Sequence, residues 1–141
     1  MMPAKRAAQD VVALTRAFGE VGGDVDAEMA FYGRDPVYDL SPMGIGIYEG
    51  HAAIRAFLTG WRTSYEKYEE EMQEVADLGN GVAFATVRES AVPVGSDAEA
   101  RVHSVYGFAI VWVDGKISRM TAYPKVDEAR AAAARLAEKR P

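Results

Sequence analysis

The chain contains no cysteine. Disulfide frameworks, thiolate metal sites and cysteine nucleophiles are therefore excluded, and a reducing cytosol is an unremarkable home. Basic charge is also short: 16 Lys and Arg stand against 21 Asp and Glu, a net charge of −5. Nucleic-acid binding wants a basic stripe, and no Lys/Arg cluster is interleaved with aromatics. No apolar run approaches the roughly 18 residues of a membrane span, and residues 1–10 lack the apolar core of a secretory signal. Only two histidines are present, and without a third ligand nearby they make a poor metal site. Phosphate-binding glycine loops, nucleotide fingerprints and nucleophile elbows are missing as well. Gly44-Ile45-Gly46 is too short and wrongly placed to cradle phosphate and reads as a pocket rim. What remains is a cytoplasmic protein whose partners are small molecules or proteins, with no cofactor, no metal, no nucleic acid and no membrane.

What is there is ordinary globular material, 49% apolar and 26% charged over 141 residues, enough for one domain spanning 1–141. Apolar residues at Val11, Leu14, Phe18 and Val21 give helical spacing over 7–21, which Gly22-Gly23 stops. Asp24 is placed to cap a second helix over 25–32, and Asp35-Pro36 ends it. Residues 36–40 read as a strand, 41–46 as a loop, 47–49 as a brief strand. A third helix over 51–65 puts Ile54, Phe57, Leu58 and Trp61 on one face. Strands are expected over 68–78, 82–94, 101–113 and 116–123, separated by Gly79-Asn80-Gly81, Gly95-Ser96-Asp97 and the hairpin signal Asp114-Gly115. Asp127 is placed to cap a last helix over 128–139. Helices first and a meander afterwards mean α+β, with a curved antiparallel sheet wrapped around the N-terminal helices. Both faces of the strand over 101–113 are apolar, so one is expected to line a pocket and the other to meet a second subunit.

Several segments are familiar. Gly23-Asp24-Val25-Asp26, Asp35-Pro36-Val37-Tyr38-Asp39 and Tyr48-Glu49-Gly50-His51-Ala52-Ala53-Ile54-Arg55-Ala56-Phe57 resemble the first half of SnoaL-like and ketosteroid-isomerase-like proteins. Asp114-Gly115-Lys116-Ile117 resembles their second half. The resemblance implies the cone-shaped α+β barrel of the nuclear transport factor 2-like superfamily, a homodimer, and a pocket for a small hydrophobic molecule. It does not imply one chemistry, since that superfamily holds cyclases, isomerases, epoxide hydrolases and non-catalytic binding subunits.

Asp39 falls where ketosteroid isomerases carry their catalytic carboxylate, so the resemblance makes it the candidate base; an Asp capping the following loop is the alternative. Where those enzymes place hydrogen-bond donors for the enolate oxygen, this chain has Thr15 or Arg16 on the first helix and Ala109 on a strand. Neither donor type is kept. His103 shares strand parity with Ala109 and is the replacement acid or donor, or else a rim histidine. His51 reads as a helix-start residue. Trp61, Val111 and Met120 are the expected apolar walls, Met120 at a place that lines the pocket in the resembling isomerases. Tyr38 and Asp39 alternate and should point to opposite faces. Glu69-Glu70-Glu71 reads as a solvated edge strand, and Arg88-Glu89 as a solvated hairpin end, with an inward Glu89 beside His103 as the other option. The expected function is a cofactor-independent acid–base enzyme of isomerase, cyclase or lyase type on an apolar carbonyl compound. The alternatives are a non-catalytic binding or assembly module, and an epoxide hydrolase built from Asp39, Glu89 and Arg88.

Overall fold

The computed structural model describes residues 9–97 and 101–140. Helix α1 (Val11–Glu20) starts where the Asp10 carboxylate accepts a hydrogen bond from the Ala13 N–H at 3.0 Å, an N-cap worth about 1 kcal/mol. Ala7 and Ala8, expected in this helix, lie outside the described residues. Helix α2 (Val25–Met29) is capped in the same way by Asp24. It ends earlier than its pattern suggests because Tyr32 opens strand β1 (Tyr32–Asp39). The Phe31 carbonyl accepts from the Ile117 N–H at 2.8 Å, so sheet pairing overrides local helical propensity here. The β1 pairing slips between Tyr32 and Val37, which lets Pro36 sit in a strand with no N–H to give.

A 3-10 turn (Ser41–Met43) leads to strand β2 (Ile47–Glu49) and helix α3 (His51–Thr63). Strands β3 (Tyr65–Gly79), β4 (Val82–Pro93), β5 (Val102–Val113) and β6 (Lys116–Tyr123) form the meander, and helix α4 (Val126–Lys139) closes the chain. Lys125, not Asp127, occupies the α4 cap position, and Asp127 lies in the first turn, where its charge complements the helix dipole.

The six strands make one curved open sheet in the order β2-β1-β6-β5-β4-β3. The expectation of an antiparallel sheet is corrected at one place: β1 runs parallel to β6. The long path through α3, β3, β4 and β5 supplies the crossover such a pair needs.

Side-chain size sorts the two faces of β5. Tyr106, Phe108, Ile110 and Trp112 join Phe18, Met29, Ile54 and Leu58 from the first three helices in the main core. The opposite face carries Ala109 and Val111, which pack with Val82 and Phe84 against Ala129, Ala133 and Ala137 of α4. Gly107 makes that contact possible, since a Cβ there would stand 2.5 Å from the Ala129 methyl. The outer face thus meets the chain's own last helix over much of its length, where a second subunit was expected. Val105 and Val113 on that face stay exposed. Among the described residues, no helix is long and apolar enough to cross a membrane.

Candidate functional site

A cavity of about 260 Å³ opens between the first three helices and the inner face of the sheet. Ile45 and Val102 line it yet are 38% and 48% exposed, which puts its mouth beside the loop after β1. Its walls are Phe57, Leu58 and Trp61 from α3, Met120 from β6 and Phe108 from β5. The rings of Phe57, Trp61, Tyr65 and Tyr68 follow one another at 5.8, 5.4 and 5.7 Å between centroids.

Into this apolar space project three carboxyl groups and one guanidinium. The Arg62 Nη2 donates to Glu28 Oε1 at 2.6 Å and lies 3.8 Å from Glu70 Oε2. The Tyr68 hydroxyl donates to Glu89 Oε2 at 2.9 Å. The Tyr106 hydroxyl lies 3.0 Å from Glu70 Oε1 and 3.2 Å from Glu89 Oε2, so its single proton serves one of them at a time. The Gly22-Gly23 pair that stops α1 also makes room for these groups. A Cβ on Gly22 would stand 3.1 Å from Glu70 Oε2, and one on Gly23 would stand 3.3 Å from Arg62 Nη1.

Burial pushes Glu28 up to about 7, with the neighbouring Glu70 adding to it and Arg62 opposing. Burial also raises Glu70, aided by Glu89 and countered by the Tyr106 hydroxyl and Arg62. Tyr32 and Tyr106 are held well above the usual phenol value by burial and by the same carboxylates, so both keep their protons. Tyr32 is 4% exposed, lines the cavity, and its hydroxyl has no hydrogen-bond partner. A buried phenol normally has one. The cavity therefore offers a group that changes protonation near neutrality, a fixed cation beside it and an unused hydrogen-bond donor. Among the described residues, no three His, Cys, Asp or Glu side chains are grouped to hold a metal ion.

The family model for the SnoaL-like domain matches residues 11–120. The chain belongs to the SnoaL-like family. No curated protein sequence matches it, whereas solved structures of similar shape do. A candidate polyketide cyclase from Xanthomonas campestris pv. campestris is 25% identical, with a TM-score of 0.67 over 87% of this chain and 96% of that one. An NTF2-like protein of unknown function from Burkholderia pseudomallei K96243 is 14% identical, with a TM-score of 0.70 over 86% and 95%. An LEH-like epoxide hydrolase from M. tuberculosis is 18% identical, with a TM-score of 0.62 over 89% and 90%. The last two likenesses show the fold alone.

Within this SnoaL-like domain, Trp61 and Met120 face the cavity and the other five expected site residues do not. Tyr38 lines it, so Asp39, its neighbour in the strand, turns away. Asp39 accepts from the Ser41 N–H at 2.9 Å and hydroxyl at 2.6 Å, and from Arg119 Nη2 at 2.7 Å. Burial alone would raise its pKa, but the Ser41 donors and Arg119 outweigh burial and hold it below the ordinary value. These contacts with Ser41 are those of an Asp that caps the following loop.

His103 is exposed on the outer face, opposite Ser90. Ala109 and Val111 share that parity and pack under α4, because small side chains are what a helix lying on the sheet requires. Thr15 is fully buried and accepts the Trp112 indole N–H at 2.9 Å, a core contact. His51 ties the start of α3 to the Gly33 carbonyl.

The acidic stretch divides by strand parity: Glu69 and Glu71 are exposed, whereas Glu70 enters the cavity between Tyr68 and Met72. Its two large neighbours at i−2 and i+2 were the available signal. Glu89 also points inward, as one option held, but its partners are Tyr68 and Tyr106 and not His103. Nothing local marks Glu28, whose importance comes from Arg62, 34 residues on.

Proposed function

We propose that this SnoaL-like protein, acting as one domain, is a proton-transfer enzyme of isomerase, cyclase or lyase type on a mostly apolar carbonyl compound. Glu28 is the acid–base group and Tyr32 the donor to the substrate oxygen. The observation that carries the reading is the Glu28 carboxyl, poised at about 7 in an aromatic cavity that also holds the unpartnered Tyr32 hydroxyl. A base working at neutral pH removes a proton best when its own pKa lies close by. Glu28 takes a proton from the carbon next to the carbonyl, and the Tyr32 O–H hydrogen-bonds the enolate oxygen that develops. Glu28 then returns the proton at another carbon, or the enolate carbon attacks a second carbonyl and closes a ring, the carbonyl oxygen becoming an alkoxide that takes the proton back from Glu28. Arg62 orients Glu28 and keeps its carboxylate form accessible. Trp61 and Met120 serve as apolar walls. Asp39 and His103 have no part in this step, because neither reaches the cavity.

The test is exchange of α-protons in D2O, followed by NMR across a panel of small neutral ketones. Exchange that disappears in Glu28→Gln while circular dichroism is unchanged supports the assignment. Equal exchange in wild type and variant would remove it and favour the non-catalytic binding module.

A second reading has its own observation. Arg62 stands between Glu28 and Glu70, the carboxylate–arginine–carboxylate grouping that epoxide hydrolysis needs and that Asp39, Arg88 and Glu89 do not form. One carboxylate would take a proton from water while the other, protonated, donates to the opening epoxide oxygen. Diol formation with oxygen from labelled water would establish this reading over the first. We also propose a cytoplasmic homodimer that uses the exposed outer-face positions Val105 and Val113; elution as a monomer in size exclusion would contradict it.

A further inference from the structure

One cation faces three acids in this cavity. Arg62 is the only basic side chain among the described lining residues, against Glu28, Glu70 and Glu89. It is already committed, bonded to Glu28, near Glu70, and with its guanidinium carbon 4.9 Å from the centre of the Tyr68 ring. Glu70 and Glu89 are held by phenol hydroxyls, which orient a carboxylate without neutralising it. An entering anion meets excess acid and no free cation; an entering cation meets carboxylates already in position, so no rearrangement opposes it.

The surrounding wall suits the same guest. Trp61, Tyr65 and Tyr68 form a continuous run of rings in the cavity lining, and aromatic π systems attract ammonium groups. An independent feature supplies a donor that a polar ligand atom can use. The Tyr32 hydroxyl is buried in this lining with nothing to bond, and Glu28 and Glu70 both bear on it electrostatically.

We propose that the cavity selects compact molecules carrying a protonated amine together with a carbonyl or hydroxyl oxygen, and that it rejects carboxylates. The ammonium sits beside Glu70 and Glu89, which share the Tyr106 hydroxyl, and the oxygen meets the Tyr32 hydroxyl. This deepens the proton-transfer reading and rests on it for the reacting carbonyl alone, since the charge selection is a property of binding.

The test compares three probes of one shape at pH 7.5: 2-(aminomethyl)naphthalene, 2-naphthalenemethanol and 2-naphthoic acid, titrated calorimetrically into the full chain. The expected order is amine at least tenfold tighter than alcohol, with the acid weakest; tenfold corresponds to about 1.4 kcal/mol. Glu70→Gln and, separately, Glu89→Gln should each shrink the amine's advantage at least threefold without weakening the alcohol. The wild-type order stands as a test even if a variant fails to fold. An acid that binds as tightly as the amine, an amine no tighter than the alcohol, or no binding by any of the three overturns the proposal. Amine selectivity without α-proton exchange would leave it standing and remove the proton-transfer reading. Exchange of neutral ketones by a protein indifferent to the amine would do the reverse.

Discussion

Replacing Glu28 by Gln should change how stability depends on pH, in a direction set by the burial of that carboxyl. In the folded protein Glu28 titrates near 7, against an ordinary value of 4.5. Between those limits the folded state holds a proton that the unfolded chain releases, so the free energy of unfolding falls as pH rises. The contribution is fully present below pH 4.5 and lost by the time pH has passed through 7. The whole window corresponds to roughly 3 kcal/mol, most of which falls between pH 5 and 8. Glutamine keeps the shape of the protonated acid and cannot ionise, and Arg62 retains Glu70 at 3.8 Å. Asp39, lowered, titrates in both proteins and cancels in the difference; Glu70, also raised, loses a neighbouring negative charge in the variant, which eases its ionisation and adds to the difference in the same direction. The variant should therefore gain on the wild type by roughly 2–3 kcal/mol from pH 5 to pH 8. Urea unfolding followed by tryptophan fluorescence at four pH values measures it. A stability difference that stays constant within about 0.5 kcal/mol over that range would mean that Glu28 is solvated and unperturbed, and the acid–base assignment would fall with it.

Tyr32→Phe removes a hydroxyl with no partner in the free protein. It should alter stability by less than about 1 kcal/mol while weakening a ketone ligand roughly tenfold, as read by calorimetry. Thr15→Val strands the Trp112 indole N–H in the core, which should destabilise by about 1–3 kcal/mol with ligand affinity unchanged; a loss of affinity at full stability would put Thr15 back in the site. Asp39→Asn loses an ion pair with Arg119, whose side chain is 43% exposed. It should cost at most about 1 kcal/mol and leave α-proton exchange intact. Gly107→Val drives a side chain into Ala129 and should destabilise by about 1–3 kcal/mol or more as α4 lifts from the sheet, visible as a lower thermal midpoint.

Most of the fold was legible because its signals are local. Glycine pairs, Asp caps and the Asp114-Gly115 hairpin sit between segments of clear period, and each element appears in the expected order. Boundaries moved where tertiary pairing competed with propensity, as at Tyr32 and Tyr65, both taken from expected helices into strands. The site was less legible. Sequence alternation separated Tyr38 from Asp39 and put His103 on the side of Ala109, but did not say which side faces inward. The family resemblance assigned Asp39 and Ala109 to the pocket, and their strand parity runs the other way.

The amino-acid sequence alone settled what needs only neighbours along the chain: the class of fold, the run of helices followed by a meander, the turns, and the absence of thiol chemistry. Everything that depends on distant residues was decided by tertiary structure. The parallel pairing of β1 with β6 joins segments some 80 residues apart. Alpha-helix α4 covers the outer face because Gly107 and Ala109 admit it. The two acids that pattern reading left in solvent, Glu70 and Glu89, meet Tyr106 on a third strand, and Glu28 meets Arg62 across the cavity. A carboxyl group's pKa follows from the solvent it loses and the charges brought beside it. Neither quantity exists until the chain has folded.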